Sequence, residues 1–155
     1  MWVLRTAMLL ALIVWIGGII FFAFVLAPTL FTVLPSPQMA GDVVSPALIR
    51  LHCMGLVSGA VFLVCSLLYD RIRYARFRLF TAANILIVVM LVLTAISQFS
   101  ITPRMRELRS SNMNSVSARA EFDRLHGWST RLEGTVLVLG LVVVVVTARR
   151  LGNSS

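Results

Sequence analysis

The sequence predicts an all-α fold, an integral membrane four-helix bundle, and three observations carry that expectation. Of 155 residues, 59% are hydrophobic and only 13% charged, with a mean hydropathy of +0.93, outside the range of soluble domains. Uncharged stretches cover 6–41, 51–69 and 79–103, and about 20 such residues cross a hydrocarbon core of about 30 Å as a helix. The last apolar run, 134–148, is marginal alone. Its helix must extend back through Arg131 and Glu133, which puts those groups at a headgroup level or inside the bundle. The spans are expected at about 4–34, 46–69, 78–100 and 124–148, as one domain over 1–155.

Helix 1 follows Arg5 with an apolar run too long for a signal peptide and without a convincing small-residue cleavage site, so it is expected in the mature chain. Trp15, Gly17 and Gly18 suit close packing, because glycine admits a neighbouring backbone or ring. Pro28 lacks an amide donor and should bend or interrupt the helix. Ser45 before Pro46 resembles an N-cap and first-turn proline for helix 2. On that helix His52 shares a broad face with Gly55, Leu56, Gly59 and Leu63. Tyr69, Tyr74 and Phe77 interleave with arginines as interfacial anchors. Helix 3 carries Asn84, Thr94, Ser97 and Gln98, polar groups suited to bonds between helices, and reaches Pro103. The polar segment through Arg124 contains Ser110 to Ser115, mobile by composition; its flanks around Arg104 to Arg109 and Ala118 to Glu121 can continue helices 3 and 4 above the membrane.

The net charge of +8 flanks apolar spans, and there is no basic domain or aromatic readout pattern, so nucleic acid is not an expected partner. The arginines divide evenly between the two sides. Those at the termini and in the short connection around Arg71 to Arg78 sit nearest the helix ends, which places both termini in the cytoplasm, as in a bacterial inner-membrane protein. Cys53 and Cys65 lie about 18 Å apart along one helix and cannot bridge each other.

The chemistry-bearing residues converge at the opposite end. His52 and His126 are the two histidines, each in an Arg-Leu-His tripeptide at the mouth of an apolar run, and an even number of crossings brings both to one membrane face. His126, Ser129 and Glu133 share a helical side, and Arg50 lies close in sequence to His52. A polar site of His52, His126, Glu133, Ser129 and Arg50 is expected there. Its simplest role is to hold the outer end of the bundle together by hydrogen bonds to Glu133, Asn84 or Ser129. The alternatives are proton or solute transport, and a metal or haem module: imidazoles with Cys53 and Met54 allow copper or zinc, and paired imidazoles allow haem. No phosphate loop, serine triad or catalytic carboxylate pair can be assembled, so an enzyme is not the first reading. Expected partners are the lipid bilayer and a second copy or another membrane protein.

Trp15 to Phe31, W-I-G-G-I-I-F-F-A-F-V-L-A-P-T-L-F, with the following Leu34-Pro35 and Met39-Ala40-Gly41, then Pro103-Arg104-Met105, Phe122 and L-H-G-W-S from Leu125 to Ser129, resembles the DUF4149, or TMEM205-like, family of four-helix membrane proteins. The resemblance implies a small integral membrane protein, with an animal relative linked broadly to drug resistance. It also implies that members often carry asparagine where this chain has Glu133.

Overall fold

The computed structural model describes residues 1–75, 78, 80–111 and 115–152. Four helices are long and apolar enough to cross a membrane. Helix α1 spans Trp2–Val33, α2 is Pro37–Tyr74, α3 joins Ala82–Ile96, Ser97–Ile101 and Thr102–Ser111, and α4 is Val116–Gly152. They run up and down in order, each packed on the next and α1 packed on α4, so the bundle closes on itself.

The helix starts follow local chemistry. Ser36, in extended conformation, accepts the Met39 amide at 3.2 Å, and Pro37 occupies the first turn. The serine-proline pair that starts α2 is therefore Ser36-Pro37, and Pro46 lies inside the helix. The two pairs carry the same local signal; only tertiary packing separates them. Thr81 caps α3 through the Asn84 amide, and Ser115 accepts from Ala118 at the start of α4. Asn112, Met113 and Asn114, within the stretch expected to be mobile, lie outside the described residues, as does the interfacial anchor expected at Phe77.

Two prolines leave a common mark. Pro28 does not interrupt α1; a π turn over Phe22–Leu26 precedes it, with the Ala27 amide reaching back to the Phe22 carbonyl. Pro103 follows a second π turn, Ser97–Ile101, in which the Thr102 amide bonds to the Ser97 carbonyl and the Thr102 hydroxyl donates to the same oxygen at 2.9 Å. A proline ring clashes with the carbonyl four residues back and removes one ladder bond. Widening the preceding turn accommodates both effects without ending the helix.

The core is set by Trp15, buried between α1 and α2. A Cβ on Gly55 would run into the indole ring, and one on Gly59 would lie 2.7 Å from it. The glycines that admit the tryptophan are thus on α2. Gly18 does make a close approach, to Met54 and Leu51, whereas a Cβ on Gly17 would meet nothing within 4 Å beyond its own helix, so Gly17 admits no neighbouring helix. Gly140 brings α4 against Ile16 and Met90. In lipid, where apolar side chains gain little from leaving one another's company, this close approach is the attractive term.

With 38 and 37 residues, α2 and α4 are each about 55 Å long and overrun a hydrocarbon core of about 30 Å. The surplus forms a polar helical layer beyond the end opposite the termini. There Arg104 grips Glu121 through both carboxylate oxygens, at 2.9 and 3.3 Å, and Glu107 at 2.9 Å. Chiefly the hydrogen bond from Arg104 holds the Glu121 carboxyl below its usual 4.5.

Gly55→Leu is expected to destabilise the bundle by about 3 kcal/mol, since the new side chain must displace the Trp15 ring, whereas Gly17→Leu should be neutral; unfolding in mixed micelles measures both. Because the Glu121 value is lowered on folding, its tether to Arg104 is complete at neutral pH and is lost as the pH falls below 4.5. A spin label at Ser115, with Cys53 and Cys65 replaced, should gain mobility on acidification, and Arg104→Gln should remove that pH dependence.

Candidate functional site inside the bundle

Three helices each deliver one polar side chain to a single point. His52 lies on the inward face of α2, one turn before Gly55, and is 1% exposed. Its Nδ1 is 2.9 Å from Gln98 Oε1 on α3, and its Nε2 is 2.5 Å from Glu133 Oε1 on α4. Gln98 belongs to the π turn before Pro103, where the widened turn resets which residues face inward. The Glu133 side chain is 16% exposed.

The site lies where the apolar spans meet the polar layer. Arg50 and Arg131 stand beside it in sequence, and the exposed Trp128 marks the aromatic belt a little over one turn away from Glu133. With the Gln98 amide oxygen facing Nδ1, and a carboxylate facing Nε2, both ring nitrogens donate. That is the hydrogen-bond pattern of an imidazolium beside a carboxylate, and it leaves the pair without net charge. A neutral ring suits the site with the Gln98 amide turned to offer its NH₂, or with a protonated Glu133 carboxyl donating to Nε2. Either way the group is served from inside the protein, which hydrocarbon requires.

The other expected site residues fall elsewhere. His126 does not join His52: it is exposed, with its ring parallel to Phe122 at 6.3 Å, two helical turns before Glu133, about 10 Å along the axis. Phe122 in turn lies under the Arg109 guanidinium at 5.4 Å, and Arg109 is 3.7 Å from Asp42, so His126 belongs to the polar layer at the end opposite the termini. Ser129 is buried one turn before Glu133. Arg50 is exposed, and Arg131 rests over Trp128 at 5.7 Å. Asn84 is at the other end, donating to the Arg78 carbonyl at 3.1 Å. Cys53 and Met54 are exposed, pointing away from His52 as consecutive helical residues must. Among the described residues, no group of three or more His, Cys, Asp or Glu side chains is placed to hold a metal.

Sequence reasoning missed two features. Gln98 was visible as a polar residue, but ideal helical spacing does not anticipate the π turn that aims it; Pro103 five positions on is the available signal. The second is a polar cluster at the end that carries the termini. Tyr69, expected as an interfacial anchor, is fully buried, with its hydroxyl accepting from Arg5 at 3.0 Å. Arg150 donates to Ser66 at 3.1 Å and pairs with the fully buried Asp70. The signal here was Tyr69-Asp70 at the very end of one uncharged run and Arg149-Arg150 at the end of another.

The family model described as a domain of unknown function, DUF4149, matches residues 10–114. That interval includes His52 and Gln98 and stops before α4 and Glu133. No curated protein and no solved structure matches the chain. With most of its length matched by that model, and with four apolar helices long enough to span a bilayer, the chain is a membrane protein that belongs to the DUF4149 family.

Proposed function

We propose that the protein is a membrane structural or interaction protein in which His52, Gln98 and Glu133 lock three helices together at the outer end of the bundle. The observation that carries this reading is the use of both His52 ring nitrogens on side chains from two other helices. A ligand site needs a free lone pair or an open coordination position. A lock needs every polar atom satisfied, and His52 meets that demand. In this reading both termini are cytoplasmic in a bacterial inner membrane, supported by the arginines at the terminal end. The apolar side chains left exposed along all four helices face lipid, a second copy or another membrane protein.

A second reading, proton or solute transport, has one observation in its favour. Thr94 Oγ1 and Ser97 Oγ, on the stretch of α3 leading to Gln98, are buried without a hydrogen-bond partner among the described residues, and such atoms call for water. Copper, zinc or haem ranks below both readings, because a metal at His52 would have to displace Gln98 or Glu133.

A double-mutant cycle with His52→Ala and Glu133→Ala should give a coupling energy of about 1–3 kcal/mol in mixed-micelle unfolding. The corresponding cycle with His126→Ala should give none. The lock reading fails if the first coupling is also absent. Proton flux in sealed vesicles that Glu133→Gln abolishes while stability is retained would select transport. Near-stoichiometric metal or haem on gently purified protein, lost in folded His52→Ala, would select the cofactor reading.

A further inference from the structure

At the end opposite the termini, where α2 and α3 continue past the apolar spans, a cleft of about 420 Å³ opens between them, a size within the range of small-molecule sites. From α2 it is lined by Asp42, Ser45, Pro46 and Ile49, and from α3 by Arg106 and Arg109. Residues three and four apart share a helical face, so each helix lends the cleft one stripe. Arg109 is held from three directions. A Cβ on Gly41 would run into its guanidinium, the Phe122 ring of α4 is 5.4 Å away, and Asp42 Oδ1 is 3.7 Å away. Contact with the ring holds the guanidinium's plane, and 3.7 Å is too long for a hydrogen bond to the Asp42 carboxylate. With the Arg109 side chain 23% exposed, part of its fork stays accessible. Arg106, one turn before it on the same face, is exposed and makes no hydrogen bond or ion pair among the described residues.

The register of the two antiparallel helices gives the cleft a direction. Because Arg109 lies against Gly41 and Asp42, Arg106, one turn nearer the bundle, comes level with Ser45. Pro46 and Ile49 lie further in, toward the uncharged run that begins at Leu51. One end of the lining is therefore cationic and the other apolar. Asp42, the single carboxylate in the cleft, is 61% exposed and so mostly turned to water. Depth separates a soluble ligand from a lipid. Asp42 and Ser45 precede His52 by ten and seven residues, about 15 and 10 Å along the helix, whereas headgroups reach only about 5–7 Å beyond the hydrocarbon. The two guanidiniums thus stand outside the headgroup layer.

We infer that this cleft binds a small water-soluble anionic amphiphile, with its oxyanion head on Arg106 and Arg109 and a short apolar group lying on Pro46 and Ile49. Arg109 offers a fork already oriented by its neighbours, and Arg106 one that is free to turn to the same head. Guanidiniums suit a phosphate or carboxylate head because their paired N–H groups match its oxygens, and the Ser45 hydroxyl is a further donor at that level. The assignment goes beyond the helix lock and does not rest on it.

Titration calorimetry of hexyl phosphate into the full chain in phosphatidylcholine nanodiscs, with empty nanodiscs as the blank, tests the assignment. Binding should saturate, and Arg106→Gln should weaken it about tenfold. Arg109→Lys keeps the charge without the fork and should weaken it about threefold. Arg119→Gln removes the same charge as Arg106→Gln from an exposed position outside the cleft and should change nothing. Asp42→Asn takes the carboxylate out of the cleft and should strengthen binding about threefold. Ile49→Ser should weaken hexyl phosphate about fourfold, and inorganic phosphate, which has no apolar group, should bind at least about tenfold more weakly than hexyl phosphate. Where Arg109→Lys disturbs the polar layer by circular dichroism, Arg106→Gln still decides, since Arg106 holds no other side chain in place. No saturable binding to folded protein, or an equal loss in Arg119→Gln, overturns the proposal. Hexanol or inorganic phosphate binding as tightly as hexyl phosphate overturns the amphiphile. Phosphatidylglycerol retained in native mass spectrometry by the wild type and lost in Arg106→Gln would make this a lipid headgroup site and overturn the soluble ligand.

Discussion

A histidine buried among packed helices has two ring nitrogens that need partners from the protein, and the arrangement of α2, α3 and α4 at the end opposite the termini follows from that constraint. Each nitrogen needs a partner at hydrogen-bond distance along its own ring direction, and those directions diverge. Gln98 and Glu133 must therefore come from different helices, at fixed depth and on opposite sides of the imidazole. Apolar packing in lipid leaves helix rotation and sliding loosely determined, because lipid tails compete on nearly equal terms with neighbouring side chains. A three-helix hydrogen-bonded junction removes that freedom. Loss of one partner leaves a polar atom stranded rather than a contact slightly weakened.

The rest of the bundle divides around this point. Between the His52 junction and the Arg5–Tyr69–Arg150 cluster lies an apolar layer of Phe62, Ile87, Met90 and Val143, all fully buried. Trp15 lies deeper toward the His52 end, where Gly55 and Gly59 open α2 to receive it. Gly55 and Gly59 stand three and seven residues beyond His52, on its face. The same stripe of α2 thus supplies the polar junction and the seat for the largest core side chain. Helix α1 sends no hydrogen bond to the junction among the described residues; it is positioned by the tryptophan, and reaches polar partners only at the far end through Arg5.

The division between what the sequence reveals and what it hides has a physical basis. Four spans, their order and the pairing of polar residues by membrane level follow from where charge interrupts hydropathy, and these are one-dimensional properties. Level alone put His52 and His126 together. Contact depends also on the axial offset within the end layer, and two turns of α4 separate His126 from Glu133. Gln98 and Tyr69 show the other limit. Gln98 reaches His52 through a π turn that breaks the regular spacing, and Tyr69, which has the composition of an interfacial anchor, is drawn inward by two arginines from helices distant in sequence. Ser36-Pro37 and Ser45-Pro46 carry the same starting signal, and only the packing of the helix as a whole says which one is used.

Glu133 lies outside the family match. The match covers His52 and Gln98 and ends before the carboxylate, and the family resemblance implies that members often carry asparagine at that position. An amide oxygen accepts from His52 Nε2 as a carboxylate does, so the junction's geometry does not itself require an acid. Asparagine is one methylene shorter, and reaching the same nitrogen would bring α4 toward α2 by up to about 1.5 Å, a shift that close packing at Gly140 and Met90 would have to absorb. The carboxyl group adds what an amide lacks, since it can carry a charge or hold a proton and an amide does neither. Holding helices together accounts for the hydrogen bonds; the capacity to carry a charge is a property beyond that need.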